Sequence, residues 1–268
     1  MKKQCKRYIN ELFKVFQKRE LRTLPGNIAF FAVLALIPII TIIIWIASYF
    51  SVSIDSVVNN IESILPPAVS NIIIKYISGN GFDTSLGTFN LIAFAIASNG
   101  TYAIIISSNT LYKVEKSDVI KDRIKSVILL IVLITLIVFL LLVPMFGGKI
   151  LKLIGDNYLT NELVIIYKLL KWPLTFLIIY CNLKLIYTIA PSEHIMSKDT
   201  TTGALFTTAI WTIATAIFSY YLQYFAKYDI IYGNLSSLII LMMWIYILSY
   251  VFVFGMAINT INLKKKRD

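Results

Sequence analysis

Residues 126–146 read SVILLIVLITLIVFLLLVPMF, a run of twenty-one residues without a charged side chain. A helix gains about 1.5 Å per residue, so about 20 apolar residues cross the roughly 30 Å hydrocarbon core of a bilayer. Ile, Leu and Val on every side leave no face for water, so the stretch reads as a transmembrane helix facing lipid. Outward from it the same reading repeats. No charge falls between Arg22 and Asp55, which predicts a span at 27–50 with Pro38 as a kink. The charge-free stretch between Asp83 and Lys113 predicts a second span at 86–108, less regular at Ser98, Asn99, Gly100 and Thr101. A fourth, at 167–189, contains Lys168, Lys171 and Lys184, whose long stems can snorkel to the interfaces. Spans at 203–226 and 234–262 complete the set, the third being 126–147. The expected fold class is all-α: a polytopic membrane bundle of six transmembrane helices.

Composition agrees. Of 268 residues 58% are hydrophobic and 15% charged, with mean hydropathy +0.77, against an apolar share of roughly 45–50% in soluble domains. The net charge of +11 resides between the spans and at the ends, which points to anionic lipid headgroups rather than nucleic acid. On the six-span reading, nineteen Lys and Arg fall on one side of the membrane and six on the other. Positive charge is retained inside, so both termini are expected in the cytoplasm of a multi-pass protein of the bacterial inner (plasma) membrane. Domains follow as 1–25, a basic cytoplasmic helix; 26–263, the transmembrane bundle; and 264–268, a basic tail. The first span is long and lacks a small-residue cleavage site, so it is expected to stay in the mature protein. Cys5 and Cys181 are expected to be unpaired thiols.

Two segments outside the spans carry patterns of their own. Ile9, Leu12, Phe13 and Phe16 recur at helical spacing among basic residues, as in a helix lying on an anionic surface. Ile54, Val57, Val58, Ile61, Ile64 and Leu65, then Pro66 and Pro67, then Val69, Ile72, Ile73, Tyr76 and Ile77, predict an external amphipathic helical hairpin.

Enzymatic constellations are sparse. His194 is the only histidine, so neither a His-Glu-x-x-His pair nor a histidine metal site can form, and no phosphate-cradling Gly-x-x-x-x-Gly-Lys run occurs. Catalytic residues, metal ligands and cofactors are expected to be absent. The informative side chains are polar ones inside spans, because in lipid they must find a partner or face water. Thr208, Thr212, Thr215, Ser219 and Gln223 share one face of the fifth span, expected to point into the bundle. Asn90, Ala93, Ala97 and Thr101 do the same in the second, with Asn99 adjacent, and Asn109 just beyond that span is a further candidate. Such rows either glue helices together or line a substrate path. Lys227, Asp229 and Tyr232 are candidates for an external mouth, among tyrosines that equally suit an interfacial belt.

Taken in order, several stretches resemble the YihY/BrkB family of bacterial inner-membrane proteins. Ala29-Phe30-Phe31-Ala32-Val33-Leu34-Ala35-Leu36-Ile37-Pro38 is similar to that family's first-span motif. So are Ser108-Asn109-Thr110-Leu111-Tyr112, Ile231-Tyr232-Gly233-Asn234-Leu235, Trp244-Ile245-Tyr246 and Gly255-Met256-Ala257-Ile258-Asn259 to later elements. Two positions depart: the family's serine is Ala35 here and its glutamate is Ala257. The resemblance implies a membrane protein once mislabelled ribonuclease BN, with roles leaning toward transport, lipids included, and relatives linked to serum resistance. The expected function is a transporter or lipid-handling protein with the candidate residues above lining its path. The alternative is a scaffold that organises lipids or protein partners at the cytoplasmic face.

Overall fold

The computed structural model describes residues 23–36, 39, 70–71, 74, 87–114, 117–154, 161–224, 232 and 235–267. Among them there is no strand. The long elements are α1 (Thr23–Leu36), α2 (Gly87–Tyr112), α3 (Val119–Ile154), α4 (Asn161–Ile189), α5 (Thr201–Tyr224) and α6 (Ser236–Arg267), with a 3-10 turn at Ser197–Asp199. Among the described residues three segments are long and apolar enough to cross a membrane: Trp172–Ile189, Thr201–Tyr224 and Leu238–Lys264. The basic segment 1–22 and most of the 54–77 hairpin and of residues 37–50, with Cys5 and Pro38, lie outside the described residues.

Helix ends explain why the chain reverses where it does. At the end of α2, Val114 N donates to Asn109 O (3.0 Å) and Lys113 N to Thr110 O (3.3 Å), while Lys113 adopts φ 57°. This is the left-handed cap that closes off the last carbonyls of a helix, built here on a lysine where glycine is usual. Five residues later Asp118 Oδ1 accepts from Ile120 N (3.0 Å), capping the start of α3. The resulting turn forces α2 and α3 to pack as neighbours. Packing then follows chain order, α3 on α4, α4 on α5 and α5 on α6, and α6 returns against α2 to close the bundle.

The main core gathers Leu24 and Ile28 from α1, Ile104 and Ile105 from α2, Leu129 from α3, Leu183, Ile186 and Tyr187 from α4, and Val253, Met256 and Ala257 from α6. The third span is therefore not simply lipid-facing. Leu129 and Leu130 are fully buried while Ile128, Ile131 and Phe139 are exposed, because α3 is held between α2 and α4 and offers lipid only its outer side.

Candidate functional site

The tightest contact joins α5 to α6. A Cβ added at Gly203 would run into Gly255 O, and one added at Gly255 would run into Thr207 Oγ1 and stand 2.6 Å from Tyr187 Oη. Only a hydrogen fits at either position, so the two backbones touch. The spacing Gly203-x-x-x-Thr207 is the small-residue pattern by which membrane helices approach closely, and Gly255 meets it from α6. Polar groups then lock the crossing. Asn259 Oδ1 accepts from Gly203 N at 2.7 Å, satisfying an amide of the first turn of α5 that has no partner within its own helix. Tyr187 Oη donates to Phe252 O at 2.8 Å and shares a hydrogen bond with Thr207 Oγ1 at 2.7 Å. Trp211 Nε1 donates to Leu248 O at 2.8 Å.

A second polar cluster occupies the end of the bundle where α2 stops, α3 starts and α4 passes into the 190–200 segment. Asp122 is buried. It accepts from Asn109 Nδ2 (3.1 Å) and from Ser192 Oγ, while Asn109 Oδ1 accepts from Ser192 N at 2.8 Å. Lys125 Nζ donates to Pro191 O at 2.8 Å, and the buried Asp199 pairs with Lys266 near the end of α6. The 190–200 segment is thus pinned from α2, α3 and α6. Among the described residues six buried side-chain atoms have no hydrogen-bond partner: Ser107 Oγ, Ser108 Oγ and Tyr112 Oη on α2, Asn182 Oδ1 on α4, and Trp244 Nε1 and Asn259 Nδ2 on α6. Burial, reinforced by the charges of Asp199 and Glu193, holds the Tyr112 phenol above the ordinary tyrosine range.

Along the α2–α3 seam, Thr101 Oγ1 donates to Ser126 O at 2.6 Å. On the outer side of the same seam Arg123 donates through Nη1 to Asn99 Oδ1 (2.9 Å), and its guanidinium carbon lies 5.5 Å from the centre of the Tyr102 ring.

The residues singled out from sequence fall into separate places. Thr101 and Asn109 are buried in the α2–α3 contact and Asn99 lies at its rim. The row on α5 does not point uniformly inward as expected. Thr208 is fully buried, Thr215 and Ser219 are half-buried, and Thr212 and Gln223 are exposed. The physical reason is that α5 meets α6 through Gly203 and Thr207. The hydroxyls of Thr208 and Thr212 donate to Ala204 O and Thr208 O in their own helix, at 2.8 and 2.9 Å. A threonine satisfied in that way has no need of an inward face. α6 is the helix that packs against both α2 and α5. The side chain of Asn90, and Lys227 and Asp229, lie outside the described residues; Tyr232 is exposed, as are Tyr220, Tyr221 and Tyr224. Cys181 is an exposed free thiol, and among the described residues no group of three or more metal-ligating side chains forms.

Sequence reasoning missed Gly203, Thr207, Tyr187, Asp122, Ser192 and Arg123. The small-residue spacing Gly203-x-x-x-Thr207 could have revealed α5's half of the crossing. Nothing local marks Asp122 or Ser192, whose meeting depends on how two turns stack. Ala257 and Ala35, the departures from the family's pattern, are both buried. A methyl group fills the core at 257 where a carboxylate would need a partner.

Comparisons with known proteins identify the family. The family described as virulence factor BrkB matches residues 12–268. The chain is 29% identical over 265 residues to the ribonuclease-like protein YfkH of Bacillus subtilis (strain 168), covering 97% of this chain and 96% of that protein. It is 24% identical to a UPF0761 membrane protein of Haemophilus influenzae (strain 86-028NP), covering 88% and 87%, and 24% identical to one of Cronobacter sakazakii (strain ATCC BAA-894), covering 84% and 78%. No solved structure matches. With the match running over nearly its whole length, and with apolar helices suited to a bilayer, this chain belongs to the BrkB family of membrane proteins.

Proposed function

We propose that this protein is a multi-pass transporter or lipid-handling protein of the inner membrane, with six spans and both termini in the cytoplasm. Its polar contact region is the joined ends of α2 and α6 rather than the threonine row of α5. The observation that carries the reading is that four of the six unpartnered buried side-chain atoms among the described residues, Ser107 Oγ, Ser108 Oγ, Tyr112 Oη and Asn259 Nδ2, fall toward the C-terminal parts of α2 and α6, the other two being Asn182 Oδ1 on α4 and Trp244 Nε1 on α6. An unsatisfied buried polar atom costs about 1–3 kcal/mol, and such groups are retained where a water, an ion or a substrate is received. The neighbouring α5–α6 crossing bonds through Gly203 N, Thr207, Tyr187 and Trp211, so polar character alone does not explain the unspent set.

The test is reconstitution of the full chain in liposomes, following transbilayer movement of fluorescent phospholipids. The wild type is expected to accelerate movement. Ser107→Ala and Ser108→Ala are expected to slow it severalfold while thermal unfolding shows the proteins folded. Wild-type movement equal to that in empty liposomes counts against the lipid reading. A second reading, the scaffold, draws on the pinned 190–200 segment, near which Lys121, Lys198 and Lys264 stand exposed on a rigid surface. It predicts that charge reversal at these lysines abolishes capture of a partner without altering lipid movement.

A further inference from the structure

Arg123 points the wrong way for an ordinary interfacial arginine. It lies in the second turn of α3, and Cα–Cβ bonds tilt toward a helix's N-terminus, which here is the membrane face. A long basic side chain near a helix end normally extends toward water. Instead the guanidinium runs inward along α2 to Asn99 Oδ1, passing over the ring of Tyr102. Tyr102 lies six residues inside the end of the expected span at 108, about 9 Å along the axis of α2. The cation is therefore held well within the helical layer, whichever face of the membrane α3 starts from.

Its surroundings are lipid-like on one side and uncompensated in charge. Ile96 and Ile106 on α2, and Ile120, Ile124, Ile128 and Ile131 on α3, are exposed. Lys121 pairs with Asp118 and Lys266 with Asp199, whereas Arg123 pairs with no carboxylate among the described residues. Asn99 takes one of its five donors, and a neutral amide leaves the positive charge in place. Holding a guanidinium at this depth is unfavourable unless an anion meets it. The anion suited to that position bears apolar chains for the flanking isoleucines and oxygens that accept in parallel from the guanidinium fork.

We propose that Arg123, held by Asn99 and Tyr102 on the lipid-facing side of the α2–α3 seam, binds the phosphate of a membrane phospholipid drawn below the plane of its neighbours' headgroups. This rests on the lipid-handling reading and names the part of the substrate that is recognised. Asn99 aims the guanidinium, the Tyr102 ring supports it from one side, and the remaining donors take the phosphate oxygens.

The experiment is native mass spectrometry of the full chain in detergent, titrated with phosphatidylglycerol, with a diacylglycerol of the same acyl chains and with inorganic phosphate. Phosphatidylglycerol is expected to be retained in preference to the diacylglycerol, and inorganic phosphate at millimolar concentration is expected not to displace it. Arg123→Gln is expected to weaken retention about tenfold, as loss of a charge-assisted pair does. Arg123→Lys should fall between. Asn99→Asp supplies a carboxylate in place of the amide and is expected to weaken retention as well, which keeps the test open should Arg123→Gln fold poorly. The double variant Lys121→Gln, Lys198→Gln should behave as wild type. Retention unchanged in Arg123→Gln and Asn99→Asp, equal loss in the lysine variant, or equal binding of the diacylglycerol each overturns the site. Displacement by inorganic phosphate overturns the lipid as its occupant. Arg123-dependent retention without transbilayer movement in liposomes would leave the site standing and remove the transport reading.

Discussion

The α5–α6 and α2–α3 seams both join neighbouring helices with polar groups, and they spend those groups differently. In the first, two glycines bring the backbones into contact, and Tyr187, Trp211 and Asn259 Oδ1 are bonded to main chain or to a neighbouring hydroxyl, with Asn259 Nδ2 alone left unpaired. In the second, the contact is held by Thr101 and Asn109, an aspartate is buried on the inner side and an arginine stands exposed on the outer side, while farther along α2 the hydroxyls of Ser107, Ser108 and Tyr112 are left unpaired. A polar residue in a span is thus weak evidence of function by itself. What separates packing from recognition is whether its hydrogen-bonding capacity is already used.

The largest effect that would sharpen this contrast is expected at Gly255. Gly255→Ala drives a methyl against Thr207 and Tyr187 and should cost about 2–3 kcal/mol of stability, read as a lower midpoint of thermal unfolding in detergent. A midpoint within a degree of wild type would break the description of the crossing as closed. Asp122→Ala strips Asn109 and Ser192 of their shared acceptor and should cost about 2 kcal/mol. Limited proteolysis should then cut faster in the 190–200 segment, and unchanged cutting would mean that other contacts pin it. Tyr187→Phe removes one hydroxyl with two partners and should cost about 1 kcal/mol, without slowing lipid movement in liposomes; slowed movement would place this seam, too, in the functional path. Lys113→Gly relieves the left-handed conformation at the end of α2 and should gain about 0.5 kcal/mol. Thr212→Val, at an exposed hydroxyl bonded within its own helix, should lie within about 0.5 kcal/mol of wild type.

Apolar helices were legible in the sequence because lipid imposes a length and a composition that few other structures share. Among the described residues Trp172–Ile189, Thr201–Tyr224 and Leu238–Lys264 are long and apolar enough to cross a membrane. α3 runs through Ile154, past the expected 147, because a helix continues wherever its backbone bonds can, whatever the depth of the bilayer. The candidate site was less legible. Asn99, Thr101, Asn109 and Thr208 were singled out for being polar in a span, and the structure sets them to different uses. Asn99 aims Arg123, Thr101 bonds α3, Asn109 holds Asp122 and Ser192, and Thr208 bonds its own backbone.

Hydropathy, charge distribution and the order of short motifs along 268 residues determined by themselves that this is an all-helical membrane protein of the BrkB family. Those signals are local, each carried by a window no longer than one helix. Only the tertiary structure decided that Gly203 meets Gly255, that Asp122 is shared by Asn109 and Ser192, and that Arg123 turns inward to Asn99. These contacts depend on the rotation and register of one helix against another, which the apolar pattern leaves nearly free: on a helix surrounded by lipid and by other apolar helices, every face looks alike until a small residue or a hydrogen bond selects one.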